Sequence, residues 1–159
     1  MKRRLLVHTS LVLAAVLTSG CASLEHLVTA PGVSLRNVQV ERLDLTEQSF
    51  LLSFDVTNPN PFPLPISMIS YAIELDGHRF ANGETPCSFT VPASGDGEFA
   101  ISVNINLLKT APELLYIVRD GVYRDIPYGL EGQLGVDIPY AKPVRFQNDG
   151  LIRLQAAKL

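Results

Sequence analysis

The sequence predicts an all-β protein, an antiparallel, Greek-key-like β-sandwich of about seven strands with one short α-helix. Apolar and polar residues alternate in short runs, which is the pattern of strands that bury one face. Turn-forming residues separate these runs, and the 159-residue chain contains 11 prolines and 11 glycines. Since 47% of the residues are hydrophobic and 18% are charged, the chain is too apolar to be intrinsically disordered.

The amino-terminal residues 1–20 have the composition of a lipoprotein signal peptide. Lys2, Arg3 and Arg4 precede an apolar stretch that is too short to span a bilayer as a helix, which needs about 20 residues. The sequence Leu17-Thr18-Ser19-Gly20-Cys21 resembles a bacterial lipobox, although Thr18 stands where leucine is usual. We therefore predict lipidation of Cys21. The alternative is an ordinary signal peptide followed by a chance cysteine.

Cleavage before Cys21 changes the charge of the protein. Without Lys2, Arg3 and Arg4, the 13 basic residues become 10 against 16 acidic ones, a net charge of −6. An acidic body is repelled by anionic headgroups, so we expect the acyl chains to hold the protein at the membrane. Ala22 after the cysteine fits the pattern sorted to the outer membrane in Gram-negative lipoproteins. We predict a protein of the bacterial cell envelope, anchored in the outer membrane and facing the periplasm.

Strand patterns begin after a lipidated tether, residues 21–31, and the predicted domain covers residues 32–157. Apolar and polar residues first alternate in three short runs, at residues 33–35, 38–40 and 43–45. The alternation changes phase twice between these runs, and each change predicts a bulge. Residues 50–56 then alternate cleanly and predict a half-buried antiparallel strand.

Turn sequences divide the rest of the chain. Asp76-Gly77 is typical of a type I′ hairpin, Ser94-Gly95-Asp96-Gly97 predicts a turn, and Asn148-Asp149-Gly150 predicts another before a last run at 151–154. The longest alternation, 99–107, is the strongest strand pattern. Strands are predicted at residues 69–75, 78–81, 87–91, 99–107, 126–138 and 144–146.

One helix interrupts the strands. Thr110-Ala111-Pro112-Glu113 has the spacing of a capping box and predicts where the helix starts. Residues 114–118 supply an apolar face, and Asp120-Gly121 predicts the end. A helix of about ten residues is marginal alone, so it must pack on the sheets.

Four prolines lie close together in Asn58-Pro59-Asn60-Pro61-Phe62-Pro63-Leu64-Pro65. Proline lacks an N–H group and pushes the preceding residue toward extended geometry, so this stretch predicts a rigid corner between sheets. The asparagine side chains can cap local turns, and Phe62 and Leu64 are expected to point inward. The alternative is a polyproline docking site.

The run Phe54-Asp55-Val56-Thr57-Asn58-Pro59-Asn60-Pro61 resembles the signature of late embryogenesis abundant (LEA) type 2 proteins, also called the water stress and hypersensitive response (WHy) domain. Later motifs match in order, namely residues 71–77, 81–83, 91–95, 128–132 and 150–152. The resemblance implies a β-sandwich with one helix and a signature at Asn58, Pro59, Asn60 and Pro61. It also implies a protein that shields other proteins or membranes during desiccation, freezing or heat. Bacterial members often resemble single domains behind a lipobox.

Sequence patterns typical of enzymes are missing. His26 and His78 have no nucleophile at triad spacing, and neither a Gly-x-Ser-x-Gly motif nor a glycine-rich phosphate loop occurs. The carboxylates lack metal spacing, and Gly95-Asp96-Gly97-Glu98 lacks the remaining calcium ligands. Cys87 is predicted to be a buried, inert thiol. We therefore predict a non-enzymatic protein with no catalytic residue, metal or cofactor. The charge excludes a basic nucleic-acid binder.

Three functions stay open at this point. The first is stress protection of client proteins or of the envelope. The second is an envelope module that binds a lipid or another apolar ligand between the sheets, lined by Phe50, Phe54, Phe99 and Tyr128, although these are equally the residues of an ordinary core. The third is a structural adaptor that pairs with a partner through a sheet edge. We expect a monomer whose membrane contact is the lipid.

Overall fold

The computed structural model describes residues 28–44, 46–110 and 112–156, so the predicted signal peptide, Cys21 and His26 lie outside it. Within these residues, two helical segments, α1 (Leu107–Thr110) and α2 (Glu113–Gly121), accompany eight strands. Strands β1 to β8 are, in order, Gly32–Leu43, Gln48–Thr57, Leu64–Leu75, His78–Val91, Asp96–Ile105, Ile126–Val136, Val144–Ile152 and Leu154–Gln155.

The strands form two four-stranded sheets in this part of the chain, in the orders β5-β2-β1-β8 and β4-β3-β6-β7. All pairs are antiparallel except the short β1–β8 pair. The predicted antiparallel sandwich is thereby confirmed. The two expected bulges of β1 are also present, as register shifts between Leu35 and Asn37 and between Val40 and Arg42.

The β3–β4 hairpin confirms the turn predicted at Asp76-Gly77, because both residues have positive φ, 50° and 76°. The strand that follows differs from the prediction. Where the sequence suggested two strands, β4 runs unbroken from His78 to Val91 and includes Pro86. Proline is tolerated there since β4 is an edge strand, in which one side of the backbone has no ladder partner.

The turn predicted at Asn148-Asp149-Gly150 is wrong, because β7 continues through all three residues. Gly150 lies opposite Tyr128, and a Cβ at Gly150 would come 3.0 Å from the Tyr128 ring. The Tyr128 hydroxyl donates a hydrogen bond to Asn148 Oδ1 at 2.5 Å. Glycine is therefore favoured at position 150 because the Tyr128 ring lies over it, and not because the chain turns there.

The predicted capping box is also wrong. Pro112 occupies the N-cap position of α2 without a side-chain cap, and Thr110 ends α1 instead. Asn106 provides the cap in this region, because its Oδ1 accepts a hydrogen bond from the Lys109 N–H at 3.0 Å. The end of α2 at Gly121 is as predicted, and packing explains the glycine: a Cβ there would lie 2.1 Å from Ile126 Cδ1.

The strand with the strongest alternation, β5, is an edge strand, so its inward side chains Phe99, Val103 and Ile105 are only half buried. It begins at Asp96, and the predicted Ser94–Gly97 turn is shifted to residues 92–95, where the Gly95 N–H donates to the Pro92 carbonyl. Burial is instead greatest in the inner strand β2.

The core lies between the two sheets. Phe50 and Phe54 are fully buried, Phe50 meets Phe80 edge-on at 4.9 Å, and Phe54 stacks on Phe99 at 4.7 Å. Phe50, Phe54 and Tyr128 are therefore ordinary core residues, and Phe99 closes the open side of the core. Because the described residues hold both sheets and a continuous core, we expect this body to fold without the residues that precede it.

The two buried tyrosines predict a loss of stability at alkaline pH. Burial raises the pKa of Tyr71 and that of Tyr128, whose ordinary value is about 10. The unfolded chain therefore loses these protons first, so the stabilisation is complete below about pH 10 and falls as the pH rises through the folded pKa values. We expect the unfolding free energy to fall above that pH, and to fall less steeply in Y71F/Y128F. If the unfolding free energy fell equally steeply with pH in both proteins, the loss of stability could not be assigned to Tyr71 and Tyr128.

Candidate functional site

The asparagine–proline corner, Asn58–Pro65, leads from β2 in one sheet to β3 in the other. Its asparagines are inside the protein, since Asn58 is 0% and Asn60 2% exposed. The prolines between and after them, Pro59 and Pro61, are exposed. A buried asparagine is costly unless all its polar atoms are hydrogen-bonded, so the partners of these two side chains explain the corner.

Asn58 ties the corner to the β4–β5 connection. Its Nδ2 group donates to the carbonyl oxygens of Phe62 and Pro92, both at 2.9 Å, and to that of Val91 at 3.3 Å. Its Oδ1 accepts from the backbone N–H of Asn60 at 3.0 Å and from Asn60 Nδ2 at 2.9 Å. One side chain thus holds two chain segments that are more than 30 residues apart.

Asn60 ties the corner to the amino-terminal end of the described chain. Its Oδ1 accepts from the Thr29 N–H at 2.8 Å, and its Nδ2 donates to the Thr29 carbonyl at 2.9 Å. Its own carbonyl accepts from the Ser94 N–H at 2.9 Å. The side-chain amide of Asn60 therefore makes the same pair of hydrogen bonds with the Thr29 backbone that a residue of a neighbouring β-strand would make.

The hydrogen-bonding atoms of both asparagine side chains are bonded to protein atoms, so the corner does not depend on water to satisfy them. The sequence predicted local turn caps, and the Asn58–Asn60 bond is one. The long-range bonds to Thr29 and Pro92 were not predicted, because no local pattern records which distant carbonyls lie nearby. Leu64 is fully buried and Phe62 half buried.

The other side chains considered from the sequence do not form a reactive site in the described part of the chain. His78 is exposed, and its Nδ1 lies 2.9 Å from the carbonyl oxygen of Asp76. Cys87 is only partly buried, contrary to prediction, because it lies on the edge strand β4; burial still raises the pKa of its thiol. Among the described residues, no three histidine, cysteine or acidic side chains are grouped as metal ligands.

The described helices are too short and too polar to include one that could cross a membrane. Helix α2 instead closes the end of the sandwich opposite the corner, and a cleft of about 640 Å³ lies between it and the end of β1. We call this the α2 cleft. Its apolar wall is formed by Val40, Leu43, Leu115, Val118, Val122 and Tyr123.

Comparison with solved structures supports the fold. The chain resembles the solution structure of AT1g01470 from Arabidopsis thaliana, with a TM-score of 0.59, 24% identity, and coverage of 82% of this chain and 86% of that one. At this identity the likeness concerns the fold. It agrees with the two-sheet sandwich described above.

Comparison of sequences gives the family. The chain is 28% identical over 112 residues to the desiccation protectant protein Lea14 homolog of Glycine max, covering 69% of this chain and 70% of that protein. It is 26% identical over 113 residues to the probable desiccation-related protein LEA14 of Arabidopsis thaliana, covering 70% and 72%. The model of the family described as late embryogenesis abundant protein, LEA_2, matches residues 53–150, which is more than half of the chain and includes the corner. The chain belongs to the LEA type 2 family of late embryogenesis abundant proteins.

Proposed function

We propose that this protein is a non-enzymatic, lipid-anchored LEA type 2 protein of the bacterial envelope that protects neighbouring proteins or the envelope itself when water is lost. The observation that carries the proposal is the similarity, over about two thirds of the chain, to a protein named as a desiccation protectant. Both sequence relatives carry names that refer to desiccation.

Two features of the structure support a role during drying. The corner satisfies its buried amides within the protein, so removal of water does not leave them without partners. The edge strands also present polar side chains to solvent at alternate positions, which keeps a hydrated surface around a stable core. These side chains include Asn82, Glu84, Ser88, Thr90, Glu98 and Ser102.

The physical mechanism follows from these features. An acidic body with a net charge of −6 after cleavage repels other acidic proteins and holds water at its surface. Such a body separates neighbouring proteins as their concentration rises during freezing or drying. It thereby slows the contacts between partly unfolded chains that lead to aggregation.

Protection can be measured directly on a labile enzyme. We expect the chain 22–159 to preserve more enzyme activity through repeated freeze–thaw cycles than an equal mass of an inert acidic protein does. The enzyme activity that remains after each cycle is the readout. Protection no greater than that of the acidic protein would mean that net charge and mass alone account for it, and the proposal would fail.

Anchoring at Cys21 is tested separately. We expect Cys21→Ala to release or mislocalise the protein and to leave its thermal unfolding unchanged, because Cys21 precedes in sequence the residues that form the core. Cell fractionation and a melting curve of the purified variant are the two measurements. A variant that stays in the membrane fraction would exclude the lipid anchor, and a changed melting curve would show that Cys21 belongs to the body.

The α2 cleft favours a second candidate function, the binding of a single acyl chain. Its volume falls within the range of about 300–1,000 Å³ that is usual for small-molecule sites, and its wall is mostly apolar. A fluorescent fatty acid such as cis-parinaric acid tests this idea. Two results together would favour this candidate over stress protection. The fatty acid would bind saturably to the wild type and more weakly to Leu43→Asp, and the protein would not protect the enzyme during freeze–thaw.

A further inference from the structure

We infer that the end of the sandwich built around the asparagine–proline corner is a membrane-apposed face that lies against phospholipid headgroups. We call it the corner end. It consists of the amino-terminal segment 28–31 and the connections 58–63, 92–95 and 137–143, all at the same end of the two sheets. The inference rests on the anchoring at Cys21 proposed above, and it states which face the anchor holds toward the lipid.

The path of the chain brings the corner end close to the anchor. Val28 packs against the core, Pro31 is buried, and the backbone of Thr29 is held on both sides by Asn60. The described chain therefore begins at the corner end with Val28, seven residues after Cys21. Even fully extended, this length spans only about 24 Å. The opposite end of the sandwich is farther from Val28 than the corner end is, by the length of β1, which is about 40 Å for its 12 residues.

The charge distribution favours the same orientation. The connections at the corner end carry only one acidic and one basic residue, Asp137 and Lys142. The next carboxylate, Asp96 at the start of β5, accepts a hydrogen bond from the Thr57 hydroxyl at 2.8 Å. The connections at the helix end carry six acidic residues against four basic ones, a net charge of −2; the acids are Asp44, Glu47, Asp76, Glu113, Asp120 and Asp125, and the bases are Lys109, Arg119, Arg124 and Arg153. Anionic headgroups repel acidic groups within a Debye length, so the corner end approaches them at the lower electrostatic cost.

One aromatic side chain at the corner end is placed to contact the headgroup layer. Tyr140, in the β6–β7 connection, is 96% exposed and has a φ of 66°, which is uncommon for a residue with a side chain. The loop is held by a hydrogen bond from the Ala141 N–H to the Ile138 carbonyl at 3.0 Å and by one from the Asp137 N–H to the Pro65 carbonyl at 2.9 Å. Tyrosine is enriched at membrane interfaces because its ring is apolar and its hydroxyl is polar.

The orientation can be measured with a single tryptophan, because the sequence contains none. We would place it at the corner end with Tyr140→Trp or at the helix end with Tyr123→Trp, where the natural side chain is 83% exposed. Both variants are made in the chain 21–159 with Cys87→Ser, which leaves Cys21 as the one thiol. Cys21 is then coupled to a maleimide lipid in phosphatidylethanolamine–phosphatidylglycerol vesicles that contain acyl chains brominated near the headgroup.

We expect bromine to quench the fluorescence of the tryptophan at position 140 several-fold more than that of the tryptophan at position 123. We also expect Ala93→Glu to reduce the quenching at position 140, because it adds a negative charge to the corner end. Equal quenching at the two positions, or stronger quenching at 123, would overturn the inference. Since the coupling supplies the anchor, the result does not depend on acylation in cells. Metabolic labelling of the full-length protein with a fatty-acid analogue reads acylation independently, so failure of the anchor and failure of the orientation are distinguishable.

Discussion

Asn58→Ala is expected to lower the free energy of unfolding by about 3–5 kcal/mol. The change removes the Nδ2 group that donates to the carbonyls of Phe62 and Pro92, and the Oδ1 that accepts from Asn60. The buried Asn60 N–H and the part-buried Phe62 carbonyl then lose their partner, at about 1–3 kcal/mol each, whereas the Pro92 carbonyl keeps the hydrogen bond from the Gly95 N–H. Such a loss is a large fraction of the total stability of a domain. Urea unfolding followed by circular dichroism measures it.

The matched control for this prediction is Asn82→Ala. Asn82 is exposed on the edge strand β4, so its replacement is expected to change the unfolding free energy by about 0.5 kcal/mol or less. If the two variants lost similar amounts of stability, the side-chain hydrogen bonds of Asn58 would not be what stabilises the corner. The explanation of Asn58 and Asn60 by their hydrogen bonds would then be wrong.

Gly132→Ala is expected to destabilise the protein by about 3 kcal/mol or more, and to prevent folding if the sheet cannot adjust. Gly132 lies on β6 opposite Tyr71 of β3 and Phe146 of β7. A Cβ at this position would lie 2.1 Å from the carbonyl oxygen of Ser70 and 2.6 Å from the Phe146 ring. Because the nearest atom belongs to the backbone, a side-chain rotation cannot relieve the clash.

The same strand supplies the control, since Gly129 has no atom within 4 Å of an added Cβ. Gly129→Ala is expected to be neutral or slightly stabilising, because alanine restricts the unfolded chain. Thermal unfolding of the two variants compares them directly. Equal effects would mean that loss of a glycine within a strand, and not the contact with Ser70, decides the stability.

Much of the fold could be predicted from local patterns. Alternation located the inward faces of β1, β2, β3 and β6, and its phase changes located both bulges of β1, because the period of a strand fixes which face each side chain takes. Asp76-Gly77 marked its hairpin because few dipeptides adopt two positive φ angles easily. These features depend on residues that are close together in the sequence.

The features that could not be predicted depend on distant residues. Gly150 resembled a turn residue, but it leaves room for the ring of Tyr128 on the neighbouring strand β6. The alternation of β5 did not reveal that it is an edge strand, since edge position depends on the order of strands in the sheet. At the corner, the resemblance indicated Asn58 and Asn60, yet their partners Thr29 and Pro92 became evident only from the folded chain.

Whether the folded sandwich protects other proteins can be measured as the enzyme activity that survives freeze–thaw in the presence of the wild type or of Gly132→Ala. The two proteins have almost the same composition and the same charge, and they differ in the stability of the fold. We expect strong protection by the wild type and little by the variant once melting curves show that the variant is unfolded. Equal protection by both would contradict this expectation, because the effect would then belong to the composition of the chain and not to the structure.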